Sequence, residues 1–314
     1  MIRRDLLTRA ALLAVGLGGA WWLRDHVLWR DPAMTFGVDG TSGWVPYDEP
    51  RAATPTALVT IAGQTVRALI DSGAQYSVID GGLFDALGLT RAFDLPLVAY
   101  GVGGGVQMGR GTTLRIALGA MRIVSLRAAI LTLGPLAMRE GLSAPLILGQ
   151  DVLGEAVLEL DTEGRRLRFH DRADHVLPAD VLPVAVGKAR GALSTEVTVE
   201  GLRVQAVVDT GASALLALGR ETAARAGLLD GRPTRRGSSI VLGGAIASQL
   251  ALARSITVGE QTYRDVETAI YDDVPLPGFP TALVGMEAFE GQRDVMDLGG
   301  TALHTSRPLD MTVD

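Results

Sequence analysis

The chain states one short pattern twice. Val66-Arg67-Ala68-Leu69-Ile70-Asp71-Ser72-Gly73-Ala74 returns 138 residues later as Val204-Gln205-Ala206-Val207-Val208-Asp209-Thr210-Gly211-Ala212. Each copy is an apolar, partly β-branched run that ends in an acid, then a small hydroxyl residue, glycine and alanine. A carboxylate at the end of a buried strand is costly unless it is hydrogen-bonded or put to use. A glycine two residues later lets the backbone turn sharply and brings its amides close to that carboxylate. One such tripeptide is an ordinary turn, but here the surroundings repeat as well. A short helical pattern ending in Gly-Leu follows each acid, at Leu83 to Leu89 and at Thr222 to Leu228. Farther on, Pro145-Leu146-Ile147-Leu148-Gly149-Gln150-Asp151 parallels Thr281-Ala282-Leu283-Val284-Gly285-Met286-Glu287, and Leu158-Glu159-Leu160-Asp161 parallels Asp294-Val295-Met296-Asp297. Four landmarks in one order indicate an internal duplication, and a period this long means two similar lobes rather than a solenoid.

Both halves otherwise read as strands and turns. Thr56 to Ile61 and Thr65 to Ile70 flank Ala62-Gly63-Gln64 as a hairpin, and Thr195 to Val199 and Leu202 to Val208 flank Glu200-Gly201 in the same way. Between each acid and its distal glycine lies a second hairpin with a glycine-rich tip. In the first half it contains Tyr100, Gly101, Val102 and Gly103; in the second it contains Val241, Leu242 and Gly243. Neither glycine run is followed by Lys-Ser or Lys-Thr, and neither opens a helix, so a phosphate loop is a poor fit. A hairpin closing over a cleft is the better reading. The expected division is an export signal or membrane anchor at 1–30, an extended spacer or edge segment at 31–54, and two lobes at 55–178 and 179–314.

The chain has 314 residues, long enough for two domains with real cores. Its net charge of −6 argues against a nucleic-acid surface, which needs clustered Lys and Arg. It contains no Cys, which excludes disulfides, thiolate metal sites and a Cys nucleophile. Arg3 and Arg4 lead into Asp5-Leu6-Leu7-Thr8, and Ala10 to Leu23 carry no charge. That is the layout of an export signal, and the paired arginines resemble a twin-arginine signal. Ala20 closes a run of small residues suited to cleavage. Trp21, Trp22 and Trp29 would suit a membrane interface and leave an uncleaved anchor open. The expected location is therefore the periplasm, or the inner membrane facing the periplasm.

Other chemistry is thin. His26, His170, His175 and His304 are scattered without metal-ligand spacing and read as surface polar residues. Asp161-Thr162-Glu163-Gly164 superficially repeats the acid motif, but its place in the repeat pairs it with Asp297 and makes it a hairpin turn. The serines have no recognisable His-Asp partners.

Two Asp-Ser/Thr-Gly strands, each with a flap-like hairpin and a later apolar-apolar-Gly segment, resemble the pepsin–retropepsin class of aspartic proteases over roughly 55–305. The resemblance implies a mostly all-β chain of two similar β-barrel lobes, each with a short helix, and an active site between them. It implies an aspartic endopeptidase in which Asp71 and Asp209 activate water to hydrolyse extended polypeptide, without metal or cofactor. By the same resemblance, Ser72 and Thr210 lock the two loops together, Gly73 and Gly211 let amides reach the acids, and Gly149 and Gly285 permit close packing behind them. The glycine-tipped hairpins become substrate-binding flaps. The expected partner is a polypeptide, bound by a monomer that associates with membrane, if at all, through residues 1–30. A non-catalytic peptide-binding relative and a self-processing protease remain as alternatives.

Overall fold

A computed structural model describes residues 30–49, 53–100, 106–138, 142–189, 191–241, 244–272 and 280–306, with backbone alone for 94–100, 106–109, 238–241 and 244–247. The chain is mostly β, with two closed six-stranded barrels. In the first barrel the strands run in the spatial order Met121–Leu131, Val78–Asp80, Leu146–Leu148, Gln64–Ile70, Thr56–Ile61 and Val106–Leu118, and the last pairs back onto the first. The second repeats that order with Gln261–Tyr271, Leu216–Gly219, Ala282–Val284, Leu202–Val208, Ala192–Val199 and Gly244–Val258; here closure is made by the last two, through Val197↔Val258 and its neighbours. Closing a sheet on itself removes its unpaired edges.

The local chemistry repeats with the topology. The hairpin turns at Ala62-Gly63 and Glu200-Gly201 hold positive φ at both positions, 50° and 79° in the first and 50° and 86° in the second. That is the tight turn whose twist matches the flanking strands. Each acid-bearing strand then runs parallel to its distal strand, through Ile70↔Leu148 in one barrel and Val208↔Val284 in the other. The short helices Gly81–Ala86 and Arg220–Arg225 each begin two residues before the expected pattern. Asp80 caps the first, accepting from the Gly82 amide at 3.0 Å, whereas Gly219 leaves the second without a side-chain cap.

A third sheet, not anticipated from the sequence, joins the halves. Its six strands lie in the order Val181–Val184, Ala302–Ser306, Arg293–Asp297, Ala156–Asp161, Arg166–Asp171 and Val45–Pro46. The central pair is antiparallel and carries Leu158↔Met296, Glu159↔Val295 and Leu160↔Asp294. Leu158, Leu160, Leu167, Phe169 and Met296 are fully buried and share one continuous core with both barrels. At about 1.5–3 kcal/mol for each buried aliphatic or aromatic side chain, this junction contributes substantially to holding the barrels together. Within the 31–54 segment, Ala33–Thr35 pairs with the 122–124 stretch and Val45–Pro46 forms an edge of the central sheet.

Two side chains depart from expectation. His170 is buried, with Nε2 2.7 Å from Glu159 Oε2, and its ring lies 4.5 Å from that of half-buried His175. They are therefore not free surface residues: alternate side chains of the strand Arg166–Asp171 point to the side of the central sheet where buried Glu159 needs partners, and Arg168 and His170 supply them. Asp161 caps its own hairpin turn, accepting from the Gly164 amide at 2.8 Å and from Arg166 at 2.7 Å. Among the described residues no helix is long and apolar enough to cross a membrane, and residues 1–29 lie outside the description.

Candidate active site

The two acid-bearing strands end side by side on the pseudo-twofold that relates the barrels. The Asp71 amide donates to Leu148 O at 3.0 Å and the Asp209 amide to Val284 O at 2.9 Å, so each acid is the first residue past a parallel strand pair. The following hydroxyls cross between the lobes. Ser72 N donates to Thr210 Oγ1 at 2.9 Å, and Thr210 Oγ1 donates to Ile70 O at 2.7 Å. In return, Thr210 N donates to Ser72 Oγ at 3.0 Å, and Ser72 Oγ donates to Val208 O at 2.8 Å. All four bonds are buried, where an unmade bond is most expensive. Ser72 and Thr210 thus fix the separation of the two loops.

The glycines set the approach of the acids. A methyl group on Gly73 would stand 2.6 Å from Asp209 Cγ, and one on Gly211 would stand 2.6 Å from Asp71 Cγ. No side chain fits at either place. Gly149 and Gly285 press against the backs of the loops, where a methyl group would lie 2.6 Å from Ala74 O and 2.3 Å from Ala214 O. Their neighbours complete the support: the Gln150 and Met286 amides donate to Ala74 O and Ala212 O, each at 2.9 Å.

The two carboxyls influence each other directly, yet their surroundings differ. Asp71 Oδ1 accepts from the Gly73 amide at 2.9 Å and the Ala74 amide at 3.0 Å. Asp209 Oδ1 accepts from the Gly211 amide at 2.8 Å, while the Ala212 amide donates at 3.2 Å to the Asp209 backbone carbonyl. Burial pushes the Asp71 carboxyl above the ordinary carboxylate range, and the amides of Ala74 and Gly73 pull it back. Burial pushes Asp209 well above that range, and the neighbouring charge of Asp71 pushes it further. Two such groups titrate as a pair, and the second amide donor at Asp71 favours the negative charge there over Asp209.

Several supporting residues were not singled out as site residues from sequence. The Asp151 carboxylate accepts from Ser77 N at 3.0 Å and Ser77 Oγ at 2.7 Å, and the Gly149 amide donates to Ser77 Oγ at 3.1 Å. Glu287 plays the corresponding part in the other half, accepting from the Leu215 amide at 3.0 Å. Gln150 Nε2 reaches Ser72 O at 2.9 Å. A signal existed: an acid stands two places after the distal glycine in both repeats.

The flap residues are only partly placed. Ala92–Tyr100 and Val106–Leu118 form one hairpin, closing with Tyr100↔Val106, and Thr234–Val241 and Gly244–Val258 form the other, closing with Val241↔Gly244. The tips Gly101, Val102, Gly103, Leu242 and Gly243 lie outside the described residues. The second hairpin crosses toward the first lobe, its backbone coming within 8 Å of the 3₁₀ turn Gly134–Leu136. Among the described residues no group of three or more His, Asp or Glu side chains is placed to hold a metal ion.

Solved structures to which the chain is similar include basic 7S globulin from soybean, at 11% identity and TM-score 0.46, over 84% of this chain and 94% of that one. Conglutin gamma from lupine seeds is similar at 12% identity and TM-score 0.47, over 88% and 95%. A retropepsin-like aspartic protease from Rickettsia conorii is similar at 22% identity and TM-score 0.30, over 40% of this chain and 89% of that one. No curated protein matches the chain. The aspartyl protease family model matches it twice, over residues 57–152 and 195–288, which is more than half its length and one match for each repeat. The chain belongs to the aspartyl protease family.

Proposed function

We propose that the protein is an aspartic endopeptidase in which Asp71 is the resting base and Asp209 the resting acid. The observation that carries this reading is the facing pair of carboxyls, each pressed against the other lobe's glycine. A protein that only bound peptides would gain nothing from two like charges held together in a partly buried site. Ionised Asp71 takes a proton from a water molecule as its oxygen attacks the scissile carbonyl, and Asp209 gives its proton to the carbonyl oxygen. A proton then passes to the departing amine, the C–N bond breaks, and the pair returns to its singly protonated form. The substrate lies extended beneath the two hairpins as an added strand, with backbone hydrogen bonds supplying affinity and apolar pockets selectivity. The protein acts as a monomer on exported polypeptides, and residues 1–30 carry it to the periplasm or hold it at the inner membrane.

The test is to incubate the purified full chain with an unfolded protein and identify the new termini. Wild type is expected to cut unstructured segments between bulky apolar residues. Asp71→Asn and Asp209→Asn should each lose about a thousandfold or more in rate while keeping the fold, within the range for removing a general acid or base. Peptide binding without cleavage by wild type would favour the non-catalytic reading. Cleavage governed by a basic or acidic residue at the scissile bond would count against the apolar pockets.

A further inference from the structure

Asp294 is fully buried, and neither of its carboxylate oxygens has a hydrogen-bond partner among the described residues. In the central sheet it stands opposite Leu160 on one side and Thr305 on the other, in a cross-strand row that continues through Leu167 to Val45. Directly opposed residues share a face of the sheet. Leu160 and Leu167 belong to the main core, so the carboxyl enters the apolar side of the junction between the lobes.

The duplication makes this residue more informative. The central ladder maps onto itself about the pair Glu159↔Val295, so that Leu158↔Met296 becomes Asp294↔Leu160. The counterpart of Asp294 is therefore Leu158, which is also fully buried. One repeat uses a leucine and the other an acid in the same setting.

Among the described residues no cationic group pairs with its carboxylate. Tyr47, from the entry segment, is buried with its hydroxyl unpartnered. Tyr263, from the strand Gln261–Tyr271, donates to Ala288 O at 2.9 Å, and Gln292, two residues before Asp294, has an unpartnered Oε1. The charges beyond these are Arg165, stacked 5.2 Å from the centre of the Tyr47 ring, and Asp161 on the Tyr47 side. Glu287 lies on the Tyr263 side and is held by the Leu215 amide. Among the described residues no ion pair includes Asp294, whereas Glu159 one place away on the opposite face has both Arg168 and His170.

We propose that Asp294 is a proton-dependent lock between the two lobes: neutral, it completes the apolar junction, and ionised, it loosens the central sheet. Burial alone pushes its carboxyl well above the ordinary range. An unfolded aspartate titrates near 3.9, so the stabilisation is complete below about that pH and is lost as pH rises toward the folded-state value. Acid thus tightens the attachment of the lobes. This inference does not depend on peptidase activity.

The test compares the denaturant unfolding of wild type, Asp294→Asn and Asp294→Leu from pH 4 to pH 8. The dyad and the Glu159 cluster are present in all three, so their contributions cancel in the differences. Relative to wild type, the folding equilibrium constant of each variant should improve by up to about tenfold for each pH unit above 4, until Asp294 ionises in the folded protein. A difference constant across the range would overturn the proposal. Should neither variant fold, the ¹³C shift of the Asp294 carboxyl in folded wild type at pH 6 decides: a protonated carboxyl supports the lock and an ionised one overturns it.

Discussion

Ala74 and Ala212 follow the two active-loop glycines, and neither can donate a side-chain hydrogen bond to an acid. The amides near them do so unequally, with two reaching Asp71 Oδ1 and one reaching Asp209 Oδ1. Adding a hydroxyl should stabilise the ionised form of its acid and lower the pair's titration. In the pH–rate profile, Ala212→Ser is expected to shift the alkaline limb down by about one pH unit, the equivalent of one modest charge-assisted hydrogen bond. Ala74→Ser should shift it less, because Asp71 already has two donors. The lack of a hydroxyl at both positions predicts, from the sequence alone, a raised dyad. Burial, the largest cause, raises both carboxyls in the same direction. An unshifted alkaline limb in both variants, or a wild type active only in strong acid, would contradict this account.

The four hydroxyl-mediated bonds act as one joint between the strands Gln64–Ile70 and Leu202–Val208. Thr210→Val keeps the shape but leaves the Ser72 amide and the Ile70 carbonyl without partners. It should destabilise the protein by about 2–6 kcal/mol, the sum of two buried unmet groups, whereas Thr210→Ser should recover most of that in urea unfolding. Equal loss in both variants would show that the methyl group, not the hydroxyl, is what the site needs. This joint was legible in sequence because both hydroxyls lie beside both acids in a repeated tripeptide. The Ser77–Asp151 contact was harder to see: its partners are 74 residues apart and become neighbours only when the distal strand inserts beside the acid strand. The hairpins were legible for a local reason, since Ala62-Gly63 and Glu200-Gly201 dictate tight turns between alternating strands. Their flap role rests on tips outside the described residues.

At the scale of the molecule, two barrels are joined by a sheet to which both halves contribute. Leu158 to Asp161 and Asp294 to Asp297 were recognised as repeats of each other, but an apolar strand does not name its partner, and these two pair across 136 residues of duplication. The same limit hid the role of the entry segment, whose short strands take their order only from the sheets they join. The central claim is that one chain supplies both halves of one active site. It is tested by assaying peptide cleavage by wild type, by Asp71→Asn, by Asp209→Asn and by an equimolar mixture of the two variants refolded together. Wild type should cleave, and neither single variant nor the mixture should do so. Recovery of activity in the mixture would mean that the acids of different chains meet, and would contradict a site built within one two-lobed chain.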